Sequence, residues 1–138
     1  MAIFLDTGYY IAFYNIKDKY HSRAMEIFQD LKSNNYGKIF TSLDVLDELF
    51  TFFQRNNDQY IANKIIRSWF KEDRQFGTIL FSSENTLSAA TEIFTEQSQE
   101  RKALSFTDCL IIANCNEIGI SNLVSFESGF HNLINVIQ

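Results

Sequence analysis

Four carboxylates in this chain stand where elements of structure should begin or end, and carboxylates are the residue type from which hydrolytic metal centres are built. Asp6 closes the apolar run Ala2-Ile3-Phe4-Leu5, Glu48 sits at the margin of an apolar stripe in a predicted helix, Asp108 falls in the first turn of another, and Glu127 follows the run Asn122-Leu123-Val124-Ser125-Phe126. Each also has a plain reading. Asp6 could cap the helix opened by Thr7, Asp108 stands in capping-box spacing from Ser105, and Glu127 could be an exposed turn residue. Brought to one place, four like charges would repel by several kcal/mol unless protonated or bridged by a cation. A divalent metal would relieve that repulsion.

The elements that must position these acids alternate in type. Residues 2–5 form a short continuous apolar run closed by Asp6 and bounded by Thr7-Gly8, which suits a strand buried on both faces of a parallel sheet. A short helix follows to about Asn15, then an amphipathic one with Ala24, Ile27, Phe28 and Leu31 on one side. Lys38–Thr41 is a second strand. A helix from Ser42 to about Arg55 is expected to open on a Thr41/Asp44 capping pair, which makes Asp44 a cap, and it buries Leu46, Leu49, Phe50 and Phe53. From Gln59 to about Arg74 another helix places Ile61, Ile65, Ile66, Trp69 and Phe70 on one face. Opposite them Lys64, Arg67, Lys71 and Arg74 form a basic stripe, read first as a solvated face and alternatively as a phosphate contact.

Residues 76–81 make a third strand, Glu84 to about Gln97 a helix, Ser98–Leu104 a polar connection, and Cys109–Ile118 a nearly all-apolar helix. Strands at 122–126 and 134–137 complete an α/β fold with a mainly parallel sheet, laid out as one domain over residues 1–138. Strands one and four are natural neighbours across the switch point of such a sheet. Asp6 and Glu127 would then share its carboxyl edge, where ligands bind in open α/β folds.

Composition narrows the class. With 46% hydrophobic residues and 14 Phe, the chain has the material for a large core and little reason for disorder. No window approaches the roughly 18 apolar residues of a membrane span, and no basic leader precedes the first strand, so a cytoplasmic protein is expected. A net charge of −5, from 12 basic and 17 acidic residues, opposes non-specific nucleic-acid affinity, although clustered and metal-neutralised carboxylates would present a substrate with a different local field. Cys109 and Cys115 lie six apart in one predicted helix, wrong for a disulfide or a metal pair, and are expected as core thiols. Neither His21 nor His131 has a sequence partner that would make it a general base. His21 is expected to pack near the first helix. Phe50 and Phe53, followed by the apolar face of the next helix, leave surface that would suit a homodimer.

Taken in order, several motifs resemble those of PIN domains, and in particular of VapC-like toxin nucleases. They are Asp6-Thr7 after an apolar strand, Asp18-x-x-His21 leading to Ala24, Thr41-Ser42 with Leu46-Asp47-Glu48-Leu49, Ser105-x-x-Asp108 before an apolar helix, and Ser125-Phe126-Glu127-x-x-Phe130. The resemblance runs over essentially the whole chain. It implies a three-layer fold with a five-stranded parallel sheet of order 3-2-1-4-5, an acidic pocket at its carboxyl edge, and Mg²⁺- or Mn²⁺-dependent cleavage of RNA. Asp6, Glu48, Asp108 and Glu127 fall on the acidic positions of the family. It also implies an antitoxin as a possible partner, with a housekeeping RNA-processing nuclease and a non-catalytic PIN-like scaffold as the competing readings. An aspartyl phosphatase would need a second Asp at position 8, which is Gly8. One departure stands out. The Thr-x-Asp of the family pattern is here Ser125-Phe126-Glu127, one methylene longer at the acid, which would weaken or displace a second metal site.

Overall fold

A computed structural model of the chain describes residues 1–71, 76–97 and 104–138. Its centre is β1 (Ala2–Leu5), in which Ile3, Phe4 and Leu5 have no solvent exposure. An unbroken apolar run has no face to offer water, so it pays only in the middle of a sheet with helices over both sides. β1 pairs in parallel with β2 (Lys38–Ser42) on one side and with β4 (Asn122–Val124) on the other, so that Ile3 lies between Ile39 and Asn122. β3 (Thr78–Leu80) adds to β2 and β5 (Asn135–Ile137) to β4, giving the order β3-β2-β1-β4-β5. The strand order reverses beside β1, between β2 and β4.

Among the described residues six α-helices flank this sheet: α1 (Thr7–Tyr14), α2 (His21–Lys32), α3 (Leu43–Arg55), α4 (Gln59–Ile66), α5 (Glu84–Thr95) and α6 (Phe106–Ile118). α5 packs along α6, α1 against α2 and α3, and α4 against α3. α6 buries every residue from Cys109 to Cys115, as its continuous apolar sequence requires, and both thiols are free. It ends where Gly119 takes φ 75°, a left-handed turn that lets the Gly119 and Ile120 N–H groups reach Cys115 O. His21 Nδ1 lies 2.7 Å from Ala12 O, tying α2 to α1 in the packing role expected of it. None of the helices among the described residues is long and apolar enough to cross a membrane.

Three local expectations change. Ser42, not Thr41, caps α3: its Oγ accepts from Val45 N at 3.3 Å, while Thr41 is still in the strand and donates to Leu5 O at 3.2 Å. Asp44 therefore has no capping partner in Thr41. It accepts from Ser82 Oγ at 3.1 Å, which in turn accepts from Asn114 Nδ2 at 3.2 Å, a polar chain joining α3, the exit of β3 and α6. The helix after Gln59 does not run on as a regular α-helix. Residues Arg67–Lys71 form a π turn, whose wider i→i+5 spacing keeps Trp69 buried against Tyr10 and Phe76 but turns Phe70 out to 49% exposure. Of the basic stripe, Lys64, Arg67 and Lys71 are exposed and Arg74 lies outside the described residues, as does most of the 98–104 connection. The third strand is also shorter than expected, because Phe76 stacks on Phe28 outside the ladder and Phe81 is solvent-exposed.

In α1, the hydroxyls of Tyr9 and Tyr10 are buried, that of Tyr10 beside Thr41.

Candidate active site

The carboxyl ends of β1 and β4 meet at a single carboxylate. Asp6 follows β1, is 3% exposed, and caps α1: its Oδ1 accepts from Thr7 N at 2.6 Å, while its own N–H donates to Val124 O across the ladder. Its other oxygen, Oδ2, accepts from the buried Ser125 hydroxyl at 2.7 Å. That hydroxyl also accepts from Glu127 N at 3.1 Å, so it holds the turn that carries the fourth acid. The cap and the site candidate are thus the same group in two roles.

Glu48 is reached through α1. The Thr7 hydroxyl donates to Glu48 Oε1 at 2.6 Å, across 41 residues of sequence. Asp108 occupies the first turn of α6 in a capping box: Ser105 Oγ accepts from Asp108 N at 3.1 Å, and Asp108 Oδ2 accepts from Ser105 N at 3.0 Å. A flat stack of Tyr20 on Phe126, centroids 4.4 Å apart and planes 7° apart, grips the residue between Ser125 and Glu127, with Lys19 Nζ 4.8 Å from the Tyr20 ring centroid.

All four sequence-predicted acids line one cavity of about 720 Å³, together with Thr7, Gly8, Ile11, Ser105, Asp47 and the last turns of α3. They also feel one another. Burial pushes the Asp6 carboxyl from its ordinary 3.8 up to about 7; the Ser125 hydroxyl and Thr7 N–H pull it back, and the charges of Asp108 and Glu48 raise it further. Burial likewise raises Asp108, opposed by its bonds to Ser105 and reinforced by Glu48 and Glu127. Such a pocket gains from positive charge.

The donor set is all oxygen, carboxylate with neighbouring hydroxyls, which suits hard divalent ions such as Mg²⁺ and Mn²⁺. Among the described residues no three acidic, His or Cys side chains converge closely enough to hold a metal by themselves. The fit is one of chemistry and charge, suited to an ion that keeps several waters and takes few protein ligands. Neither cysteine offers a nucleophile in its place, since burial raises both thiols, Cys115 up to about 12.

Three lining residues that follow Glu48 on α3 were not singled out as site residues from the sequence: Thr51, Phe52 and Arg55. Their signal was present in the helical spacing from Glu48, since residues three, four and seven positions on share its face. The linking parts played by Thr7 and Ser125 depend on contacts between distant segments and have no local signature.

A PIN domain family model matches residues 3–134. The chain is 25% identical over 130 residues to the VapC ribonuclease of Archaeoglobus fulgidus, a match covering 94% of this chain and 80% of that one. Among solved structures, it is similar to VapC20 of Mycobacterium tuberculosis, described as a sarcin-ricin loop cleaving toxin, with TM-score 0.79 at 22% identity over 94% of this chain and 93% of that one. It is also similar to VapBC2 of Rickettsia felis, solved with a DNA fragment from its promoter (TM-score 0.68, 17% identity, 99% and 98% covered). FitAcB of Neisseria gonorrhoeae gives TM-score 0.73 at 15% identity, with 99% and 96% covered. At these identities the structural likenesses speak for the fold.

Proposed function

The chain belongs to the PIN domain family, and from that premise we propose that it is a Mg²⁺- or Mn²⁺-dependent endoribonuclease acting as the toxin of a toxin–antitoxin pair. The observation that carries the reading is the gathering of Asp6, Glu48, Asp108 and Glu127 on one pocket at the switch-point edge of the sheet. RNA as substrate is supported by the likeness to the A. fulgidus VapC ribonuclease, and an antitoxin partner by the likeness to VapBC2 and FitAcB. A homodimer is part of the same reading: of the residues on which the sequence rests it, Phe53, Ile65 and Trp69 are buried in this chain's own core, and what supports it is Tyr60 on α4 and Phe70 on the π turn after it, 69% and 49% exposed.

In this mechanism Asp6, Glu48, Asp108 and Glu127 would hold the cation, few of them directly and the rest through its waters. When bound, it supplies charge neutralisation at the phosphoryl oxygens and activation of the attacking water. The chain itself supplies orientation. Thr7 N–H and Ser125 Oγ fix both Asp6 oxygens, Thr7 Oγ1 fixes Glu48, and Ser105 N–H fixes Asp108, so the acids are placed before any substrate arrives. Burial pushes the Asp6 carboxyl up to about 7, and a bound cation would favour its charged form.

The test is cleavage of a panel of structured and single-stranded RNAs in Mn²⁺ and in EDTA. Cleavage by the wild type in Mn²⁺ alone, abolished in a folded Asp6→Asn variant, is expected. Activity that survives EDTA or the substitution would overturn the mechanism, and a wild type inert on every RNA would overturn the substrate.

A further inference from the structure

The carboxylate pocket has one wall that does not belong to the acids. Glu48, Phe52 and Arg55 follow one another at i, i+4 and i+7 on α3, a single stripe that climbs about 10 Å from the carboxylates to the rim. Arg55 is the only cation among the described residues lining this cavity, against Asp6, Asp47, Glu48, Asp108 and Glu127. It is nevertheless unpaired: among the described residues the only ion pair within 4.0 Å joins Arg23 to Glu26. An exposed guanidinium on the rim of a cavity lined by carboxylates, in no ion pair with them, is free to take a phosphate, for which its planar fork is shaped.

Phe52, one turn below, is half-buried, its ring held edge-on by Phe53 at 5.2 Å and its carbonyl fixed by Asn56 Nδ2 at 2.8 Å. An aromatic ring beside a cation is the combination that holds single-stranded nucleic acid, by stacking and by charge. On a chain of net charge −5, a local cation has to do what the overall field does not.

We propose that this α3 wall is a nucleotide subsite of the enzyme, in which Phe52 takes a base and Arg55 a backbone phosphate of single-stranded RNA next to the bond to be cleaved. The proposal rests on the ribonuclease reading above and names the substrate groups that the same site would hold. A merely structural Arg55, complementing the carboxyl end of the α3 dipole, would affect stability and not RNA.

The experiment measures binding of a short fluorescent single-stranded RNA of mixed sequence to the full chain carrying Asp108→Asn, so that the RNA survives, by anisotropy in Mg²⁺ over a salt series. Adding Arg55→Gln is expected to weaken binding about tenfold and to reduce the slope of log affinity against log salt by about 0.7. Arg55→Lys should keep that slope. Phe52→Leu, which preserves apolar bulk for folding, should weaken binding about tenfold with the slope unchanged. Affinities unchanged in both Arg55→Gln and Phe52→Leu would overturn the subsite and leave the wall to the fold or to a protein partner. Absence of RNA binding by the Asp108→Asn parent would overturn it as well. Wild-type cleavage, measured in parallel, decides the ribonuclease reading separately: the expected binding pattern with no cleavage keeps the subsite and removes the activity.

Discussion

Ser125 Oγ donates to Asp6 Oδ2 at 2.7 Å and accepts from Glu127 N at 3.1 Å, so one fully buried hydroxyl joins the acid of β1 to the acid that follows β4. Ser125→Ala leaves a carboxylate oxygen without its donor at a position 3% exposed, which costs about 1–3 kcal/mol. Because the lost bond favours the charged form, the cost should be larger near pH 8 than near pH 5. Urea unfolding in EDTA at the two pH values checks this, and an equal cost at both would mean that the hydroxyl does not act on the charge.

Asp6 sets a pH dependence of the metal-free fold. Its carboxyl titrates at about 7 in the native state against an ordinary 3.8. Below about pH 4 both states are protonated and nothing is lost. Between 4 and 7 the unfolded chain releases a proton that the native one keeps, so stability falls by an amount on the order of 4 kcal/mol and then levels off. The raised Asp108 adds a slope of the same sign. Asp6→Asn retains the cap and removes this loss, so in EDTA near pH 8 it should melt higher than the wild type. Millimolar Mn²⁺ should stabilise the wild type and leave the variant nearly unmoved. A variant that melts lower than the wild type in EDTA would refute the account.

Thr7 acts on the site through Glu48. Thr7→Val keeps the shape of a residue 8% exposed and keeps the backbone bond to Asp6, but it removes the donor to Glu48 Oε1. Mn²⁺-dependent cleavage should drop about 10- to 100-fold, with the melting temperature within a few degrees of wild type. Rate and Mn²⁺ activation constant, measured with the melt, separate this from simple destabilisation.

Sedimentation at tens of micromolar should show a dimer, and Tyr60→Ser combined with Phe70→Ser should shift it toward monomer if the exposed α4 segment forms the contact. A wild-type monomer would end that part of the reading.

What could be read in the sequence was whatever local chemistry decides. Asp6 at the end of a continuous apolar run has to stand at a sheet edge, and Ser105 with Asp108 makes a capping box that the structure reproduces in both bonds. Thr41 and Ser42 show where local signals run out. Two adjacent hydroxyls are equivalent caps on paper, and the choice fell to a long-range contact, because Thr41 turns its hydroxyl to Leu5 O while Ser42, the last residue of β2, faces Val45 N. Phe70 failed for a related reason. Its place on an ideal 3.6-residue wheel was correct, but the π turn that brings Trp69 onto Tyr10 changes the period there. The links Thr7 to Glu48 and Ser125 to Asp6 span 41 and 119 residues, distances over which no motif carries information.

The two buried tyrosine hydroxyls of α1 put an alkaline limit on this fold. Burial raises both phenols above the ordinary 10, Tyr10 most strongly, while in the unfolded chain they ionise normally. Stability is therefore whole below about pH 10 and drains away as base climbs past it, because phenolate can form there only by opening the core. Phenolate absorbance at those positions should not follow a titration curve. It should rise in one step with loss of structure, making these two rings native reporters of the moment the helix that Asp6 caps comes apart from the core.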